Sequence, residues 1–144
     1  MLEATIAAHG CRIVVSVSGY ERASAEDYHD ANWLDGAVAV ELDGYRARQA
    51  VSWQAAELLA FADDLDRLGR DLTGTAQLTH LEDEVALRIA LDHGRGELEG
   101  VVRRPARAAL TFEGVEIDQT QVGVAARELR AILRAFPVRL PGEV

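Results

Sequence analysis

Apolar residues recur at every second position through most of the chain, the spacing of strands with one buried face. Cys11, Ile13, Val15 and Val17 share one side of a strand that runs to about Gly19, with Arg12, Val14, Ser16 and Ser18 on the other. The alternation stops over residues 20–32, where charged and small residues read as a loop; Ser24 followed by Asp27 could cap one helical turn there. It resumes after Trp33 as Leu34, Gly36, Val38, Val40 and Leu42. Asp43-Gly44 then supplies the positive φ angles of a two-residue turn, and 45–51 returns as the second arm of a hairpin. Four more strands are predicted over 76–81, 85–91, 97–103 and 108–112, with connections short enough to make neighbours antiparallel.

Two segments change period. Leu58, Phe61, Ala62, Leu65 and Leu68 fall on one helical face, with Ser52 as the expected cap and Gly69 or Thr73-Gly74 as the expected stop. The opposite face places Asp63 four residues before Arg67 and Asp66 four before Arg70, a spacing that suits ion pairs. A second stripe of Val122, Ala125, Ala126, Leu129, Ile132, Leu133 and Phe136 follows Asp118 and Gln121, a capping-box pair, and Pro137 ends it. Arg127, Arg130 and Arg134 gather in its C-terminal half, where they complement the helix dipole. Two amphipathic helices need an apolar surface to cover. The expectation is an α+β fold, an antiparallel sheet of six to eight strands carrying both helices in a single domain over residues 1–144.

Composition narrows the partners. A chain of 144 residues is long enough to bury one sizeable core. Its 24 acidic side chains outnumber 15 basic ones, all arginine, for a net charge of -9. That sign opposes phosphate backbones and anionic membranes, so neither nucleic acid nor membrane is an expected partner. No apolar run approaches the ~20 residues of a membrane helix, and Met1-Leu2-Glu3-Ala4 lacks the basic flank of a signal peptide, which points to the cytoplasm. The lone Cys11 cannot form an internal disulfide and sits on the apolar face of its strand, where a buried structural thiol is expected.

Chemistry-bearing motifs are sparse. His9, His29, His80 and His93 are isolated, and no pair has the spacing of a helical zinc site. Asp30, Asn32, Asp35, Gly36 and Glu41 begin like a calcium loop, but Leu34 holds the fifth position and the glycine comes one residue late. No nucleophile elbow, phosphate loop or dinucleotide fingerprint is present, so no cofactor or metal is expected. The expectation is a non-catalytic binding protein. The alternative is a small hydrolase or metal-dependent enzyme assembled from distant carboxylates and histidines, which requires a pocket holding His29, His80 or the Glu82-Asp83-Glu84 cluster.

Charge and aromatic side chains coincide in one stretch. From Glu21 to Asp43 seven acidic residues face the single Arg22, and Tyr20, Tyr28 and Trp33 lie in or beside the same segment. Aromatic anchors ringed by acid suit a basic protein partner. Glu21, Glu26, Asp27, Tyr28, Asp30, Trp33 and Asp35 are the candidate partner-binding residues, with Trp33 equally suited to the core.

The succession Asp30-Ala31-Asn32-Trp33-Leu34, then Glu57-Leu58 and Phe61, then Phe112 leading to Ile117-Asp118-Gln119-Thr120, then Phe136-Pro137, resembles the WapI family of immunity proteins from bacterial polymorphic toxin systems. The resemblance spans about 20–138. It implies a small cytoplasmic protein that binds and neutralises a cognate toxin, in several such systems a nuclease, and it implies no catalysis. It carries no binding residue over to this chain.

Overall fold

Among the described residues the alternating pattern becomes eight antiparallel strands, arranged in two four-stranded sheets where a single sheet was expected. The computed structural model describes residues 1–23 and 27–140. The first sheet is a meander of β1 (Leu2–Ala8), β2 (Cys11–Tyr20), β3 (Trp33–Leu42) and β4 (Tyr45–Gln54), with the short helix α1 (Tyr28–Ala31) between β2 and β3. Helix α2 (Ala55–Asp71) follows. The second meander is β5 (Gly74–Thr79), β6 (Val85–Asp92), β7 (Arg95–Arg104) and β8 (Ala108–Asp118), closed by α3 (Gln119–Ala135). Each half is therefore four strands and a helix. The helices pack on each other, and each also lies along the first strand of the other half, α2 on β5 and α3 on β1. Seventeen helical residues between β4 and β5 are what divide the sheet.

Strand β1 was not expected. Only Ala4 and Ile6 of its seven residues are buried, too weak an alternation to stand out, yet its register on β2 is continuous from Leu2 opposite Val17 to Ala8 opposite Cys11. The buried faces meet in one core, to which Ile13, Val15 and Val17 contribute from β2 and Leu58, Phe61, Leu65 and Leu68 from α2. Val122, Leu129 and Ile132 enter it from α3. Of the two tryptophans, Trp53 is the core residue. Its indole N–H crosses β3 to donate to the Ser16 carbonyl at 3.2 Å. Gly36 lies beneath that bond; a Cβ there would stand 2.0 Å from the same oxygen, so only glycine lets the ring pass.

The helix termini correct the expected cap of α2 and choose between its two expected stops, with the helix ending directly before Thr73-Gly74. Ser52 still belongs to β4, and Gln54 caps α2, its N–H donating to Glu57 Oε1 at 2.8 Å. Gly69 is inside the helix, which ends after Asp71 with Leu72 in the left-handed region (φ 61) and its N–H on the Leu68 carbonyl. The start of α3 is as expected, Asp118 and Gln121 each accepting the other's N–H at 3.0 Å. The expected pairs along α2 do not form. Arg67 turns to Asp64 at 2.6 Å, while Asp63 and Asp66 both reach Arg130 of α3 at 2.5 Å. A guanidinium fork can hold two carboxylates one turn apart, so it bridges the helices, and those bonds push its pKa up.

Candidate functional site

The end of β2, the segment before β3 and the chain after α3 converge at one end of the first sheet. Asn32 organises them. It is fully buried, and its side-chain Nδ2 donates to the carbonyls of Tyr28 (2.7 Å) and Arg139 (2.9 Å) while Oδ1 accepts the Arg139 N–H (2.7 Å). The Arg139 guanidinium donates to the carbonyl oxygens of Arg22 (3.0 Å), Ala23 (2.8 Å) and Ala31 (2.9 Å from Nε), and a second Ala31 bond comes from Nη2. Its flat face lies 3.7 Å from the centre of the Tyr20 ring. Tyr20 in turn meets Phe136 edge-on at 5.7 Å and donates its hydroxyl to the Pro137 carbonyl at 2.5 Å. Burial pushes the Tyr20 pKa up, against the opposing pull of Arg139. A charged fork whose three nitrogens each donate to backbone carbonyls fixes a loop that has little core of its own.

The candidate residues decorate this clamped end. Asp27 starts α1, its Oδ1 accepting the Asp30 N–H at 3.2 Å. Tyr28 is half-buried, and Asp30 lies 3.7 Å from Arg22. Glu21 is exposed and accepts the Ser52 hydroxyl at 2.5 Å, while its N–H donates to the Trp33 carbonyl. Trp33 is half-buried at the first position of β3, opposite Gln54, and Asp35 is exposed two residues on. Glu26 and the Ser24 cap lie outside the described residues. Two acids of the same sequence stretch are elsewhere: Glu41 and Asp43 stand at the far tip of the β3–β4 hairpin, ten residues along an extended strand and so about 30 Å away. Asn32 was visible only as part of a motif, and Arg139 gave no signal, because its partners are more than a hundred positions distant in the chain.

Of the groups on which a catalytic reading depended, His80, Asp83 and Glu84 have structural partners. His80 is buried, with Nε2 2.8 Å from the Ser52 carbonyl and Nδ1 accepting the Glu84 N–H at 3.3 Å, so the ring is held as the Nε2–H tautomer, edge-on to Trp53. Asp83 pairs with Arg103 at 2.8 Å, Glu84 accepts from Gln49, and Glu82 is exposed. His93 is exposed beside Asp92, and the side chain of His29 lies outside the described residues. Cys11 is buried, which pushes its thiol pKa up. Among the described residues no three His, Cys, Asp or Glu side chains gather as a metal ion would need, and no helix is long and apolar enough to cross a membrane.

Compared with models of known families, residues 2–137 match the immunity protein WapI-like family, and the chain belongs to it. No match was found among curated protein sequences.

Proposed function

We propose that this member of the WapI-like immunity family neutralises a cognate toxin by binding it in the cytoplasm, and that the clamped acidic end of the first sheet is the surface that meets the toxin. The family match over nearly the whole chain is the observation that carries the immunity reading. The surface reading rests on the gathering of Glu21, Asp27, Asp30 and Asp35 around half-buried Tyr28 and Trp33, with Glu26 adding its charge from the same segment. Such a surface complements a basic protein. A nuclease grips phosphates with a basic cleft, and an acidic, preordered patch competes for that cleft without any chemistry of its own. Binding alone accounts for neutralisation.

Two experiments test this reading. Where a small toxin-like domain is encoded beside this gene, its co-expression with this chain should restore growth; continued killing would overturn the immunity reading. Replacing Glu26, Asp27 and Asp30 by arginine should slow association with that domain by about tenfold or more at low salt, with an intact fold. Unchanged affinity would remove this end from the interface.

A further inference from the structure

At the far end of the same hairpin, alongside Glu41 and Asp43, basic side chains gather. Arg46 and Arg48 on β4 and Arg104 and Arg107 at the β7–β8 turn line a groove of about 580 Å³, and all four are exposed. Arg46 touches Glu41 at 3.8 Å; the other three form no ion pair among the described residues. Between them the floor is apolar, with Ala47 and Leu110 half-buried and Val102 buried. Gln49 closes the inner end, donating to the Arg103 carbonyl at 2.9 Å.

One wall of this groove is an open sheet edge. Among the described residues β4 pairs only with β3. In an antiparallel ladder alternate residues turn their N–H and C=O away from the partner strand. The Ser52 carbonyl points off the edge to His80, which sets the parity: Arg46, Arg48 and Ala50 present their main-chain groups on that open side. The other two edges near the helices are covered. On β1 the Thr5 N–H donates to Glu128 of α3 at 2.7 Å, and on β5 the Gln77 N–H donates to Asp64 of α2 at 3.3 Å.

We propose that this groove binds an extended acidic segment of a partner protein, which adds as a strand to the β4 edge. The alternation fits. Arg46 and Arg48 face outward and Ala47 inward, so an added strand with carboxylates at every second position and small apolar residues between them meets guanidinium groups on one side and the apolar floor on the other. A peptide suits the site better than RNA does. No aromatic side chain lines the groove to stack a base, and the overall charge of -9 repels a long polyanion while a short segment feels mainly the local arginines. This surface is independent of the acidic end and stands or falls separately from it.

The test uses the full chain and a short peptide alternating glutamate and valine, followed by amide chemical shifts. Shifts at Arg46, Arg48 and Ala50, and a loss of affinity of about tenfold or more in R48A/R104A/R107A, are expected. Ala50→Pro removes an outward N–H without touching an arginine, and proline is tolerated where the N–H faces away from the ladder, so it should weaken the peptide about fivefold or more. Should the proline variant fail to fold, the arginine variant, altered only at exposed side chains, decides alone. Absence of peptide binding would leave the arginines as charges that merely keep an edge strand from pairing. Equal binding by a control peptide with glutamine in place of each glutamate, by the arginine variant or by a folded A50P would overturn the proposal. Inorganic phosphate or single-stranded RNA competing as well as the peptide would do the same.

Discussion

The two ends of the β3–β4 hairpin use the same residue type in opposite ways. At the acidic end Arg139 is half-buried, and its donors are taken up by the carbonyls of residues 22, 23 and 31. At the turn end four arginines point into a groove with one loose partner among them. The first arrangement turns charge into a rigid frame for a carboxylate-rich loop. The second leaves charge available to a ligand. Net charge counts both alike, so -9 says little about which surface is poised for recognition.

The sharpest way to break this contrast is Asn32→Ala. It removes three hydrogen bonds at a fully buried site and orphans main-chain groups of Tyr28 and Arg139, at a cost of about 3 kcal/mol. Chemical denaturation should show the loss, and hydrogen exchange should quicken at Ala31, whose N–H bonds Asp27, while the β3–β4 ladder near the turn keeps its protection. Arg139→Lys is the next in size, about 1–2 kcal/mol, because an ammonium cannot reproduce the planar fork or its stacking on Tyr20. A lysine variant as stable as the parent would mean that charge alone holds the loop.

Glu57 sharpens the comparison through pH. It stands beside the clamped end, both oxygens accepting N–H groups from Gln54 and Leu81, and burial raises its pKa above the ordinary 4.5 despite those bonds. The folded chain therefore holds this proton to higher pH than the unfolded chain does. Its contribution to stability is fully present below about 4.5 and is lost as pH rises through the folded value. The stability of the parent relative to Glu57→Gln should fall over that window in parallel denaturation series, and a difference that rises with pH would contradict the assignment. The smallest effect belongs to Glu41→Gln. Its exposed contact with Arg46 is worth at most a few tenths of a kcal/mol, so the melting temperature should stay put while the acidic peptide binds slightly tighter.

Several elements were legible before any coordinates. The β3–β4 turn, the buried stripe of α2 and the Asp118–Gln121 start of α3 all rest on residues within a few positions of one another. The misses share a cause. Strand β1 has only two buried side chains and is defined by its pairing with β2; the division into two sheets follows from where α2 and α3 pack. The cap of α2 moved because Ser52 still lies within β4, opposite Asp35. Of the candidate residues, Glu21, Asp27, Tyr28, Asp30, Trp33 and Asp35 lie at one end of the first sheet and Glu26 is outside the described residues; Glu41 and Asp43, acids of the same stretch but not candidates, stand at the other end of β3.

Sequence alone determined the α+β class, the apolar faces and the resemblance to an immunity family, because periodicity and capping are properties of neighbouring residues. Tertiary structure alone decided which arginines are consumed and which are free. A guanidinium acquires its role from groups brought to it across the fold, as Arg139 does from residues 22, 23 and 31 and Arg130 from α2, and such partners leave no trace in local spacing.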